Sequence, residues 1–245
     1  MSDSRHVILV TGASRGIGLA IVKRFARLGW RVAACARSPE VEESGADVAL
    51  RCDVSDPQQV ARTVAATHER LGRIDALVNN AGLSGSNSLS PDAAPELSDL
   101  LWHQILATNL HGTYYFAKHV LPILPDGSGR IVNIASVLAL FGVPDATAYC
   151  AAKHAVLGFT RALSKYAAPR GITVNAICPG WTRTQMAEER MAALGLSQEQ
   201  LQAGIPLGQM VEPEEVAALV ELLVISEAGR KISGQALTID GGSFC

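Results

Sequence analysis

The sequence predicts an α/β fold, a doubly wound parallel sheet of seven strands with helices on both faces. Three observations carry that expectation. Short β-branched runs alternate along the 245 residues with longer segments whose apolar residues recur at three- and four-residue spacing. The strand runs are nearly continuous in apolar residues, as strands covered on both faces must be. A glycine-rich turn, "TGASRGIG" (11–18), joins the first strand directly to a helix, at the end of the sheet where such folds bind ligands.

The elements follow in order. "HVILV" (6–10) is the first strand and "IGLAIVKRFARLG" (17–29) its helix. "RVAACA" (31–36) is the second strand, and "RSPEVEESGA" (37–46) leaves room for only a turn or two of helix before "DVALRC" (47–52). "PQQVARTVAATHERLG" (57–72) reads as a helix that stops at glycine, and "DALVNN" (75–80) as the fourth strand. The Pro/Ser/Gly-rich "GLSGSNSLSPDAAP" (82–95) reads as a surface loop, and "ELSDLLWHQILATNLHGTYYFAKHVL" (96–121) as one helical stretch. Then come "RIVNIA" (130–135), the helix "TAYCAAKHAVLGFTRALSKYAAPRG" (147–171), "ITVNAI" (172–177), the helix "EPEEVAALVELLV" (212–224) and "ALTID" (236–240). Residues 181–210 form a long insertion after the sixth strand, and loops of that length commonly act as lids. With no linker or repeat, residues 1–245 read as a single domain.

Composition narrows the function classes. At 48% hydrophobic and 18% charged residues, the chain has material for a large core and too little charge for disorder. A net charge of −2 advertises no nucleic-acid or anionic-membrane surface. The longest apolar run, "VAALVELLVI" (216–225), holds Glu221 and is too short for a membrane span. The N-terminus lacks the apolar stretch of a signal peptide. Five scattered cysteines with no CxxC pair suggest reduced thiols, hence a cytoplasmic protein.

The chemistry centres on "AYCAAKH" (148–154), which puts Tyr149 and Lys153 on one helical face a turn apart. A phenol titrates near about 10 and a lysine near about 10.4, so neither is a strong catalyst alone at neutral pH. Held together, the lysine cation stabilises the phenolate and makes the phenol a usable acid. In the glycine turn the spacing is G-x-x-x-G-x-G, which allows a tight bend and close approach of a pyrophosphate to the helix N-terminus. At the end of the second strand, Ala36 takes the slot where an acid would bind a ribose 2′-hydroxyl, and Arg37 follows. With Arg15 it can clamp a 2′-phosphate, although Glu40, Glu42 and Glu43 would oppose one if they turned inward. NADP(H) is therefore favoured, with NAD(H) as the alternative. His103, His111 and His119 recur every eight residues, a rise of about 12 Å, too far to share a metal ion. No metal site is expected, and Cys150 beside Tyr149 reads as a packing residue.

In order, "TGASRGIG" (11–18), "DV" (53–54), "NNAG" (79–82), Asn109, Ser136, "YCAAK" (149–153), "PGWTRT" (179–184) and "IDGG" (239–242) stand along the chain. With these landmarks the sequence resembles the single-domain branch of the short-chain dehydrogenase/reductase family. The resemblance implies a Rossmann fold and a catalytic set of Asn109, Ser136, Tyr149 and Lys153. In it Ser136 orients the substrate carbonyl, Lys153 also binds the nicotinamide ribose, and Asn109 perturbs its helix and holds a water that links the lysine to solvent. It implies cofactor contacts from Gly12, Ser14, Arg15, Gly16, Ile17 and Gly18 in the turn, with Arg37 beyond the second strand. Asp53 and Val54 would meet the adenine, and Asn80, Ala81 and Gly82 would line the groove. The backbone of Pro179, Gly180 and Thr182 would bind the nicotinamide carboxamide, and Thr184 would reach the pyrophosphate. Thr182 stands where the family usually has Ile or Val.

An apolar substrate wall is expected from Val137, Leu140, Phe141, Trp181, Met186 and Met191, beside Ser136 and Tyr149. The implied activity is an NADP(H)-dependent interconversion of ketone and secondary alcohol, on a 3-oxoacyl thioester or an apolar or cyclic ketone. The alternatives are an NAD-dependent alcohol dehydrogenase acting oxidatively and a dinucleotide-sensing protein without turnover. A small-molecule substrate and a homotetramer or homodimer are the expected partners. Helices 100–124 and 147–168, and the C-terminal "IDGGSFC", are expected near interfaces between subunits.

Overall fold

A computed structural model describes residues 5–84 and 95–244, and its sheet has seven parallel strands. The order is β3-β2-β1-β4-β5-β6-β7, so the winding reverses between β1 (Val7–Thr11) and β4 (Ala76–Asn79). The remaining strands are β2 (Arg31–Ala36), β3 (Val48–Arg51), β5 (Arg130–Ile134), β6 (Thr173–Pro179) and β7 (Ala236–Ile239). Ligand crevices form at such a reversal, beyond the carboxyl ends of the strands.

Both faces of the sheet are covered, and β1 shows how. Ile8 and Val10 pack in one core with Ile21, Phe25, Val216 and Val220. Val7 and Leu9 pack in a second core with Val60, Val64, Phe116 and Val120. Successive side chains point to opposite faces, so a strand sandwiched between two helical layers must be apolar at every position. The first layer is α1 (Gly16–Arg27) and α8 (Pro213–Ile225); the second includes α2 (Pro57–Leu71), α4 (Gly112–Val120) and α5 (Thr147–Ala167).

The expected strands all form, and β6 runs two residues further than expected. Its pairing with β7 continues to Pro179 opposite Ile239, so the "PGWTRT" turn starts inside the sheet. The short connection at 37–46 holds a 3-10 turn, Pro39–Glu43. The stretch expected as one helix from 96 to 121 is broken. α3 (Pro95–Leu106) ends in a π-helical turn, Ala107–His111, and α4 follows. Between β6 and α8 lie α6 (Gln185–Leu194) and α7 (Gln198–Ala203). Most of the loop expected over 82–95, and Cys245, fall outside the described residues. Among the described residues no helix is long and apolar enough to cross a membrane.

Candidate active site

The glycine turn and "NNAG" interlock at the reversal point. Thr11 Oγ1 accepts from the backbone N–H groups of Asn80 and Ala81, each at 3.0 Å. Asn80 Nδ2 donates back to the carbonyls of Thr11 at 2.9 Å and Gly12 at 3.0 Å. The approach is close enough that only glycine fits at two positions. A Cβ on Gly12 (φ +64) would lie 2.7 Å from Ala81 Cα, and one on Gly18 would lie 2.3 Å from the Gly12 carbonyl oxygen. Gly18 thus seats α1 against the turn rather than facing the cleft. Arg15, at the start of α1, offers no side-chain cap. The first N–H groups of α1 therefore stay available to an anion.

On the other side, Asn109 occupies the π turn. Its Oδ1 accepts from Leu83 N at 2.7 Å and its Nδ2 donates to Leu83 O at 2.9 Å. Both ends of the amide are spent on one residue, which holds the chain just past "NNAG". The extra residue of a π turn redirects a side chain in this way, a device common at functional sites.

β5 delivers Ser136 and α5 delivers Tyr149 and Lys153. Ser136 caps a 3-10 turn, accepting from Leu138 N at 3.1 Å, and its hydroxyl acts on the Tyr149 phenol in the direction that favours ionisation. Lys153, 4% exposed, donates from Nζ to the Ile134 carbonyl at 2.8 Å. It lies 5.5 Å from the centre of the Tyr149 ring. Burial pushes the Tyr149 phenol up to about 12, and Ser136 only partly offsets it. Burial likewise pushes Lys153 down to about 8. The pairing was expected to lower the phenol; in the protein alone burial raises it.

One cleft of about 790 Å³ joins these parts. It is lined by Ala36, Arg37 and Ser38, by Gly12, Ser14, Arg15, Gly16 and Ile17, by Asn80, Ala81 and Gly82, and by Ser136, Tyr149 and Lys153. Pro179, Gly180, Trp181, Thr182, Thr184 and Met186 also line it, as do Val54 and Val137. The uncapped helix start and the two arginines in its lining, Arg15 and Arg37, fit the phosphates of a dinucleotide. Glu40, Glu42 and Glu43 are exposed and line no part of the cleft. Arg15 is hydrogen-bonded to Gln185 Oε1 at 2.9 Å.

Several expected residues stand aside. Asp53 does not line the cleft; its Oδ1 accepts from the Ser55 backbone at 2.9 Å and the Ser55 hydroxyl at 2.7 Å. Neighbouring Cys52 and Val54 line the cleft instead. Leu140 is exposed, Phe141 stacks on Phe244 at 4.1 Å, and Met191 packs beside Leu201 and Met210, so these three leave the wall. Their places are taken by Val143, Pro144, Asp145, Arg190, Leu194 and Phe244. Nothing local in the sequence marks these residues. Phe244 arrives because Asp240 folds the C-terminal turn, accepting from Gly242 N and Phe244 N, each at 3.0 Å. Among the described residues no His, Cys, Asp or Glu group of three could hold a metal ion.

The class this fold and cleft define is a dinucleotide-binding oxidoreductase with a Ser-Tyr-Lys centre. Residues 12–243 match the family model described as enoyl-(acyl carrier protein) reductase. The chain belongs to the short-chain dehydrogenase/reductase family. It is 44% identical over 259 residues to a Streptomyces violaceoruber protein named for a ketoacyl reductase role in the granaticin polyketide synthase, covering 98% of this chain and 93% of the relative. It is 37% identical to a 3-oxoacyl-[acyl-carrier-protein] reductase of Synechocystis, covering 97% and 96%. The crystal structure of a single-substitution variant of actinorhodin polyketide ketoreductase with NADPH superposes with a TM-score of 0.88 at 38% identity, covering 99% of both chains.

Proposed function

We infer that this protein is an NADP(H)-dependent oxidoreductase that reduces a ketone to a secondary alcohol. The observation that carries the reading is that Ser136, Tyr149 and Lys153 line the same cleft as Arg15 and Arg37. The acceptors we propose are 3-oxoacyl thioesters and apolar cyclic ketones. Supporting this are the names of the relatives and a substrate wall built from Val137, Val143, Leu194, Trp181, Met186 and Phe244.

NADPH, when bound, would supply the hydride and leave a positively charged oxidised ring. Ser136 hydrogen-bonds the carbonyl oxygen and fixes its direction. Tyr149 gives its phenolic proton to the oxygen as alkoxide character develops, and Lys153 stabilises the phenolate left behind. Asn109 holds Leu83, and so Gly82, against Lys153: a Cβ on Gly82 would lie 3.3 Å from Asn109 Oδ1 and 3.7 Å from Lys153 Nζ. Arg15, Arg37 and Ser38 would hold a 2′-phosphate, and the free N–H groups of α1 would hold the pyrophosphate.

We assign residues 1–245 to one catalytic domain, with 181–210 as its substrate lid, working in the cytoplasm as a homo-oligomer. Cys35, Cys52, Cys150 and Cys178 are free thiols, in keeping with a reducing compartment. The α4–α5 face supports pairing with a second copy: Tyr114 is exposed and meets Phe159 edge-on, and Tyr166 is 75% exposed.

The deciding experiment follows NADPH consumption with an acetoacetyl thioester, with a crotonyl thioester, NADH and Tyr149→Phe as controls. We expect turnover of the 3-oxo compound that prefers NADPH and falls by about 10²–10⁴ in the variant, the range for a lost general acid. Turnover confined to the crotonyl thioester would replace ketone reduction by enoyl reduction. Turnover indifferent to the phenol would remove Tyr149 from the mechanism.

A further inference from the structure

The segment between β6 and α8 carries a small core of its own. Ala187, Leu201, Ile205 and Met210 pack together with Trp181 and Met191, apart from the two cores of the sheet. At its base the segment is pinned. Thr182 bridges to Val211, Arg183 N donates to Val211 O at 2.8 Å, and Val211 N donates to Trp181 O at 2.9 Å. Arg183 Nε adds a bond to Glu212 at 2.8 Å. At its free side the hold is slight, since Ala187 is the one buried residue of α6. A self-packed unit with a fixed base and few apolar ties elsewhere opens at low cost.

Polar ties cross from α6 to the body at two places among the described residues. One is the Arg15–Gln185 hydrogen bond at the phosphate end of the cleft. The other is the ion pair of Arg190 with Asp145, whose side chains are 18% and 36% exposed. Asp145 lies four residues before Tyr149, in the loop that begins at Ser136. Arg190 lies one helical turn from Met186, so the two share a face. Both members of the ion pair line the same cleft as Ser136 and Tyr149. The pair therefore joins the two walls between which a ketone must enter.

We propose that the Asp145–Arg190 ion pair is a latch across the substrate mouth that sets which ketones the site admits. A small free ketone is enclosed beneath the closed latch. An acyl chain on a thioester carrier runs out between α6 and the 137–146 loop and holds the latch open, so it competes with the ion pair at every turnover. The proposal rests on the ketone-reductase reading, and it makes this pair a determinant of specificity rather than of chemistry.

The test uses the full chain with Arg190→Gln, Asp145→Asn and the charge swap Asp145→Arg/Arg190→Asp. Hydrogen exchange across residues 185–194, without substrate, reads the latch directly. The ratio of kcat/KM for an acetoacetyl-pantetheine thioester to that for cyclohexanone reads its effect on admission. Both single variants should speed exchange and shift the ratio toward the thioester by about two- to fivefold, the scale of a partly exposed ion pair. The swap should return both readings toward the parent, which a packing role of either side chain would not do. Unchanged exchange in the single variants, an unmoved ratio, or a swap that restores neither reading overturns the proposal. If the parent turns over neither ketone, the ketone reading falls and the specificity claim with it, while exchange still decides the latch.

Discussion

Lys153 is a cation held where a cation is disfavoured. With the folded value near 8 and the ordinary value at 10.5, both folded and unfolded chains carry the proton below about pH 8. The full burial cost is then present. From about pH 8 to 10.5 the folded chain gives up its proton first, and the stability contributed at this residue rises. Tyr149 has the opposite sign: between its ordinary 10.0 and about 12 the unfolded chain ionises first, and stability falls. Lys153→Met should therefore be more stable than the parent at pH 7 by on the order of 1–3 kcal/mol, the gap narrowing toward pH 10, while turnover drops. Urea denaturation at the two pH values measures this, and a variant less stable at pH 7 would contradict it. The spacing of Tyr149 and Lys153 is legible in seven residues of sequence. Their protonation is not, because burial dominates it and the groups that oppose burial, such as the Ile134 carbonyl and Cys178 beside Lys153, come from other segments of the chain.

Among the elements, the glycine turn is legible in the sequence as a cradle, but the reason for its last glycine lies elsewhere. Gly18 makes room for the Gly12 carbonyl and for Asn80 Nδ2, which a Cβ would approach to 2.5 Å. Both neighbours are fixed by the "NNAG" hydrogen bonds and cannot yield cheaply. Gly18→Ala should therefore displace α1, weaken NADPH binding at least about tenfold and cost roughly 1–3 kcal/mol, the usual scale of overpacking. Titration of cofactor fluorescence beside a melting curve checks both, and unaltered NADPH affinity would show that α1 had not moved. The stretch from 96 to 121 teaches the complementary lesson. Its apolar spacing runs on without a proline, yet the helix is interrupted at Ala107–His111. The interruption places Asn109 on Leu83, 26 residues away in sequence, and no local propensity encodes such a partner.

For the molecule as a whole, cofactor binding and folding are one equilibrium, since the cleft draws residues from the ends of β1, β2, β4, β5 and β6 and from α6. NADPH at about 100 times its dissociation constant should stabilise the protein by about 2.7 kcal/mol, a rise in Tm of roughly 5–10 °C for a chain of this size. NADH at the same concentration should raise it less, and Arg37→Ala should close the gap between the two. Equal shifts with both cofactors in the parent would overturn the assignment of Arg15 and Arg37 to a 2′-phosphate. The alternation of strand and helix, the parallel sheet, the glycine turn and the Ser136, Tyr149 and Lys153 centre were determined by the sequence itself. The alternation, the glycine turn and the Tyr149–Lys153 spacing rest on patterns within short stretches, where backbone geometry acts, while Ser136 was implied by the family resemblance. Only the tertiary structure decided that Asp53 turns to Ser55, that Phe141 leaves the wall to stack on Phe244, and that Arg190 meets Asp145. Those contacts join side chains brought together by packing, and their energies depend on burial and approach that no short window of sequence contains.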